Sequence, residues 1–312
     1  MTEYLPEGSR LHTAENLAAI RTPEALAGAM RKRMILEARA SRCDSAHNLI
    51  VELPCMQGII PREEGARGIR EGTTKDIALI ARAGKPVCFR VMRIEPDENG
   101  SPRAILSRKS VQDECWEQYL SHCRAGDIIP VRITHMERFG CFVDAGCGIP
   151  SLIPIDAISV SRIAHPSDRF RVGQNIRAVV TGFDGCKLCL THKELLGTWE
   201  ENASLFTVGE TVAGIIRSVE TYGVFIELTP NLAGLAEPHE HLHAGQCASV
   251  YIKALIPEKM KVKLVIVDVF EPDTPPPPLQ YFVEGQHIDR WRYTPACAAK
   301  RIETVFSETQ LS

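Results

Sequence analysis

Short runs of alternating apolar and polar residues, rather than long helical periods, occupy most of this chain. In the run from Lys261 to Asp268, the first four residues alternate as Lys261, Val262, Lys263 and Leu264. A period of two places the lysines on one face of a strand and the apolar side chains on the other. Five such runs occur three times, and each time the longest interval separates the third run from the fourth. The pattern predicts a mainly β protein built from three similar units.

Two of these units repeat each other at a fixed offset of 83 residues. Six pairs match at this offset, in the same order: Trp116 and Trp199, Gly126 and Gly209, Phe139 and Tyr222, Gly140 and Gly223, Phe142 and Phe225, and Val143 and Ile226. A more divergent copy precedes them, in which Gly58-Ile59-Ile60-Pro61 parallels Ser151-Leu152-Ile153-Pro154. Internal repeats of this kind indicate one supersecondary unit used several times.

Five short strands with a long connection between the third and fourth are typical of a small Greek-key barrel of the OB type. We therefore predict three tandem five-stranded OB-fold barrels joined by short helices, with a Pro-rich C-terminal tail. An unspecified β-sandwich repeat is the alternative. The predicted segments are an N-terminal segment with a short helix (1–30), a degenerate first barrel (31–110), a helical linker (111–123), a second barrel (124–193), a second helical linker (194–206), a third barrel (207–271) and the tail (272–312).

Composition narrows the class of protein. The net charge is −3, which excludes a strongly basic, histone-like nucleic-acid binder; any surface for a polyanion would have to concentrate positive charge locally. The eleven cysteines are scattered and mostly lie in apolar runs, which suits buried thiols in a reducing compartment. The chain opens without a signal-peptide core, and no apolar stretch approaches the roughly 18 residues that a spanning helix needs. We expect a cytoplasmic protein with no membrane partner.

Several strings resemble the RNA-binding repeat of ribosomal protein S-one. In the second unit these are Phe139-Gly140-Cys141-Phe142-Val143-Asp144, Ser151-Leu152-Ile153-Pro154, Val172-Gly173-Gln174-Asn175 and Leu188-Cys189-Leu190-Thr191-His192-Lys193. In the third unit Tyr222-Gly223-Val224-Phe225 and Ala233-Gly234-Leu235 resemble a further copy. The resemblance covers about residues 30 to 270, and it implies RNA binding on the face of strands two and three.

The resemblance also implies site residues. The two aromatic positions are Phe139 and Phe142 in the second unit, and Tyr222 and Phe225 in the third. An acid–base pair corresponds loosely to Asp184 and Lys187. The family's strand-three histidine position holds Pro154 in the second unit and Glu237 in the third, and the first unit has no aromatic pair.

Those residue types suit single-stranded RNA, because exposed aromatic rings stack on unstacked bases. Nearby arginines such as Arg132 and Arg138 would hold the phosphates. The expected partners are single-stranded mRNA and the small ribosomal subunit, with no small-molecule substrate. The alternative hypothesis is a protein–protein adaptor of the ribosome whose repeats have largely lost RNA contact.

Motifs that would indicate catalysis or a cofactor are weak in this sequence. Cys186-x-x-Cys189 with His192 lies on or beside a strand, where residues three apart face opposite ways. The alternating His239, His241 and His243 are more typical of a solvated loop than of a metal site. There is no phosphate-binding loop, serine elbow or recognisable carboxylate pair. We therefore predict a non-enzymatic protein without a metal or cofactor.

Overall fold

The computed structural model describes residues 4–97, 99–239, 241–271 and 278–306. These residues are mainly β and form three closed five-stranded barrels that follow one another along the chain, as predicted. They divide into two compact units. The first unit comprises the described residues of Met1–Cys123 together with Pro130–Arg132 and Asp144–Pro150. Most of the second barrel and the whole of the third belong to the second unit.

The first barrel has the strand order β1-β2-β3-β5-β4. Its strands are β1 Leu36–Cys43, β2 Leu49–Glu52, β3 Gln57–Ile60, β4 Pro86–Pro96 and β5 Pro102–Ser107. Neighbouring strands are antiparallel except for β3 and β5, which are parallel. The alternating inward residues, among them Leu49, Val51 and Phe89, form one core with Leu26 of the preceding helix.

The second barrel has the order β10-β8-β7-β6-β9. Its strands are β6 Ile128–Glu137, β7 Gly140–Asp144, β8 Pro150–Pro154, β9 Asn175–Asp184 and β10 Lys187–Thr191. Two prolines in β8 predict an edge or bulge position. The edge placement is wrong, because β8 lies between β7 and β10 in a closed barrel. Pro150 and Pro154 are the terminal residues of β8, where the missing N–H groups interrupt the strand ladder least.

The third barrel has the order β11-β12-β13-β15-β14. Its strands are β11 Thr211–Glu220, β12 Gly223–Thr229, β13 Leu232–Ala236, β14 Cys247–Ile256 and β15 Lys261–Phe270. In β15, Val262 and Leu264 are buried whereas Lys261 and Lys263 are exposed, as the alternation predicts.

Short helices lie before the first barrel, between its third and fourth strands, and between successive barrels. They are α1 Ala14–Ala19, α2 Pro23–Arg31, α3 Ile77–Ile80, α4 Lys109–Gln118 and α5 Trp199–Ala203. The Thr22 side chain accepts a hydrogen bond from the Ala25 N–H, so α2 begins where its N-cap predicts. The predicted helical linker over 194–206 consists of most of a 3-10 helix, Lys193–Leu196, followed by α5. A capping box between Thr198 and Glu201 starts α5 afresh.

The N-terminal segment is fixed to the first unit by buried carboxylates. Glu7 accepts hydrogen bonds from Arg108 Nε at 2.6 Å and from the Cys88 N–H at 3.0 Å. Burial alone would raise the pKa of Glu7, but the attached Arg108 guanidinium outweighs it and lowers that pKa. Glu37 in turn accepts the N–H groups of Gly8 and Arg10, both at 2.9 Å.

The described tail residues, 278–306, pack within the second unit. They contain a short antiparallel pair, β16 Arg290–Arg292 and β17 Glu303–Val305. Trp291 and Tyr293 join the hydrophobic core of the third barrel, and the Tyr293 hydroxyl donates to the Asn231 carbonyl at 2.7 Å. Most of the predicted proline run, residues 275–277, lies outside the described residues.

No helix among the described residues has both the length and the apolar character that membrane crossing requires.

Candidate nucleic-acid interface

Phe139 and Phe142 lie side by side at the surface of the second barrel. Their ring centroids are 6.0 Å apart and their planes are nearly perpendicular, at 89°. Phe139 is 56% exposed and Phe142 is half-buried. Alternation along a regular strand would send residues three apart to opposite faces. Phe139 avoids this because it lies in the turn before β7, which begins at Gly140.

Gly140 allows this turn to lie close against the neighbouring strand. A Cβ atom at this position would come within 2.4 Å of the Ile153 carbonyl oxygen in β8. The Ile155 N–H also donates to the Phe139 carbonyl at 2.9 Å. The backbone, rather than side-chain packing, therefore holds Phe139 beside Phe142 and leaves the Phe139 ring accessible to a ligand.

A third ring, which the sequence analysis missed, lies beside this pair. His135 of β6 and Phe142 have ring centroids 6.1 Å apart and an interplanar angle of 24°. His135 Nε2 lies 2.7 Å from Glu137 Oε1, and the His135 side chain is 62% exposed. The signal was available in the sequence: His135 alternates with the buried Ile133, which indicates an outward position.

The predicted charged residues of the second barrel are brought together only in part. Arg138 adjoins Phe139 in the chain and is exposed. Asp184 and Lys187 are also exposed and lie directly opposite each other in the β9–β10 hairpin. Arg132 belongs to the first unit, where its Nη1 donates to the Glu7 carbonyl at 2.8 Å. Arg132 thus has a structural contact that the sequence did not predict.

The third barrel repeats the aromatic arrangement. Tyr222 is 63% exposed, and its ring centroid lies 6.1 Å from that of Phe225 at an interplanar angle of 86°. A Cβ atom at Gly223 would lie 2.5 Å from the Ala236 carbonyl oxygen, so this glycine has the same role as Gly140. Across the sheet, Phe225 pairs with Leu235 and Leu235 pairs with Lys263, an exposed cation.

At the equivalent row of strands β2, β3 and β5, the first barrel has aliphatic side chains. Ile50 pairs with Ile59, and Ile59 pairs with Ile105, in the row that carries Phe225 in the third barrel. Ile50 and Ile105 are each only 6% exposed. The first barrel therefore offers no stacking ring at this row.

Two further arginines, Arg169 and Arg177, make structural contacts within the second unit. The Arg169 guanidinium binds Glu227 of β12 through both carboxylate oxygens. Arg177 donates to the carbonyl oxygens of Val283 and Gly285 in the tail, at 2.5 Å each. These cations stabilise the second unit.

Among the described residues, no group of three or more His, Cys, Asp or Glu side chains is arranged to hold a metal ion. His192 is buried with its Nδ1 2.9 Å from the Ile158 carbonyl oxygen, and burial lowers its pKa to about 4. This imidazole is a neutral core residue.

Residues 123–187 match the S1 RNA binding domain. The resemblance seen in the motifs is thereby confirmed. The S1 match contains Phe139, Phe142, His135 and Arg138, together with the hairpin that carries Asp184 and Lys187.

Curated relatives extend the similarity beyond the matched S1 domain. The chain is 27% identical over 206 residues to the small ribosomal subunit protein bS1 homolog of Bacillus cereus, which covers 60% of this chain and 53% of the relative. It is 26% identical over 230 residues to bS1 of Staphylococcus aureus, covering 66% of this chain and 57% of the relative. The chain thus spans about half the length of these relatives. A solved multidomain protein with nucleic acid binding domains, from Streptococcus pneumoniae, aligns with 76% of this chain and 74% of its own, at 12% identity and a TM-score of 0.25.

Proposed function

We propose that this protein binds single-stranded RNA through the aromatic pairs of its second and third barrels and holds mRNA on the small ribosomal subunit during translation. The observation that carries the proposal is the presence of two matched pairs, Phe139 with Phe142 and Tyr222 with Phe225, each with one ring more than half exposed. The S1 match and the names of the bS1 relatives support RNA and the small subunit as partners, in the cytoplasm and without catalysis.

The chemistry of the surface suits a single strand rather than a duplex. Base–aromatic stacking contributes about 1–3 kcal/mol per base and needs bases that are not stacked on each other. Arg138 and Lys187 in the second barrel, and Lys263 in the third, are exposed cations for the phosphates. Stacking on the rings and contacts between these cations and the phosphates would both contribute to binding, and the phosphate part depends on the salt concentration.

The first test replaces both rings of the second barrel. We expect Phe139→Ala with Phe142→Ala to weaken the binding of a fluorescein-labelled, unstructured oligo(U) at least about 5-fold, as the loss of one stacked base predicts. Fluorescence anisotropy measures the affinity. Phe270→Ala is the matched control, because Phe270 is 42% exposed but belongs to neither pair. Equal affinities for the wild type and the double variant would contradict a role for these rings.

The second test concerns the partner. We expect the protein to cosediment with small ribosomal subunits, and added oligo(U) to be retained in the pellet only when the protein is present. Cosedimentation that persists without any measurable RNA binding would instead favour the adaptor hypothesis.

A further inference from the structure

One ring of the second barrel has no counterpart in the third. His135 and Phe142 lie with their rings within 24° of parallel. At the matching offset the third barrel has Ser218, which pairs directly with Phe225 across β11 and β12. A hydroxyl group offers no π-face, so the third barrel has two rings where the second has three.

Packing does not account for the position of His135. Its side chain is 62% exposed, so the ring buries little apolar surface. Its polar contact is with Glu137, two residues away on the same strand and 48% exposed. An exposed pair of this kind contributes little to stability. The contacts of His135 within this chain therefore do not explain why an imidazole lies parallel to Phe142.

The strand that usually supplies a histidine does not supply one here. The position that the S1 resemblance assigns to a strand-three histidine holds Pro154, an exposed residue at the end of β8. His135 reaches Phe142 from β6, a different strand of the barrel.

We propose that His135 is a base-contacting residue of the second barrel, which enlarges the two-ring surface of Phe139 and Phe142 to three rings and gives this barrel tighter binding to single-stranded RNA than the third. The proposal rests on the proposed function, because it assigns a further residue to the same RNA site. Nearly parallel rings of His135 and Phe142 give a nucleobase a wider stacking surface than Phe142 alone. The imidazole also brings a ring N–H that can donate to a base or phosphate oxygen.

The test is a set of variants of the full chain titrated against fluorescein-labelled oligo(U). We expect His135→Ala to weaken binding about 5-fold or more, and His135→Phe to restore most of the loss because it restores the ring. His165→Ala is the matched control, since His165 is a half-buried histidine whose ring is hydrogen-bonded to Ser167 in the connection after β8. Urea unfolding should be unchanged in His135→Ala, which separates contact with RNA from a structural role.

A double-variant cycle tests the contact between the rings. If His135 and Phe142 stack on the same base, His135→Ala should cost less in the Phe142→Ala background than in the wild type. Equal costs in the two backgrounds would overturn a shared stacking surface. In the reverse direction, Ser218→His should tighten RNA binding by the third barrel. This is measured in a chain that also carries Phe139→Ala, Phe142→Ala and His135→Ala, so that the second barrel has none of its three rings. Unchanged affinity would count against the proposal.

The outcomes separate this inference from the function on which it rests. A wild-type chain that does not bind oligo(U) at all would reject the proposed function. A chain that binds, loses affinity with Phe139→Ala and Phe142→Ala, and keeps full affinity with His135→Ala would overturn only the role of His135.

Discussion

Glu227 of β12 offers the sharpest test of the structure, because it lies between two guanidinium groups. Arg169 Nη1 donates to Glu227 Oε1 at 2.7 Å, and Arg217 Nε donates to Glu227 Oε2 at 2.9 Å. The side chains of Arg169, Glu227 and Arg217 are 3%, 4% and 11% exposed. We predict that Glu227→Ala strongly destabilises the second unit, because it leaves two buried cations that repel each other.

The magnitude follows from the burial of the triad. Removing one member of a buried ion pair costs about 3–5 kcal/mol, since the remaining charge has lost its partner but stays desolvated. Here two cations lose the same partner, and Arg217 keeps only the more distant Asp168 carboxylate, 3.8 Å away. The loss should therefore lie at the upper end of that range. Arg217→Ala leaves the bidentate contact with Arg169 in place and should cost less than Glu227→Ala.

Urea unfolding followed by far-ultraviolet circular dichroism measures the change. Glu271→Ala is the matched control, because Glu271 is 71% exposed and its side chain lies 3.7 Å from that of His243, which is 68% exposed. An exposed pair of this kind is worth about 0–1 kcal/mol. If Glu227→Ala and Glu271→Ala lowered the free energy of unfolding by the same amount, the buried triad would be refuted.

Two further predictions concern stability. Burial, with a smaller effect from the charge of Glu7, raises the pKa of Glu37 from its ordinary value of 4.5 to about 7. The folded state therefore binds this proton more tightly than the unfolded chain does. The contribution of Glu37 to stability is complete below about pH 4.5 and is lost as the pH rises through about 7. Glu37→Gln should flatten the fall in the urea midpoint over this range, and an unchanged slope would exclude Glu37 as its source. Tyr293→Phe should lower the free energy of unfolding by about 1–3 kcal/mol, because the buried Asn231 carbonyl loses its hydroxyl donor. Thermal unfolding measures this loss, and a value below about 0.5 kcal/mol would contradict the prediction.

Much of the fold could be read from the sequence because strands such as β6 and β15 have one buried and one exposed face. Alternation of the kind seen in β15 is visible in a single sequence, and it predicts both that the segment is a strand and which side chains face the core. The positions of strands within the closed barrel are non-local, which is why two prolines gave a wrong placement for β8. The packing of the tail on the third barrel could not be predicted either, because Trp291 and Tyr293 contact residues that are far away in the chain.

The candidate site could be predicted where it follows the motif and not where it depends on neighbouring strands. The motif indicated Phe139 and Phe142, but the turn that places them together depends on the close approach of Gly140 to the Ile153 carbonyl. His135 comes from a different strand and belongs to no motif. Charge was the least predictable property, because nothing in the local sequence distinguishes the buried Arg169 from the exposed Arg138.

The contribution of the tail to the third barrel bears on how the protein is made. Trp291 and Tyr293 complete a core that also contains Trp199 and Ile216, yet they follow the last strand of that barrel in the chain. During synthesis all five strands therefore leave the ribosome before the side chains that seal their interior do. A nascent chain paused after Phe270, or a recombinant fragment cut there, would present unsealed apolar surface and be prone to aggregation.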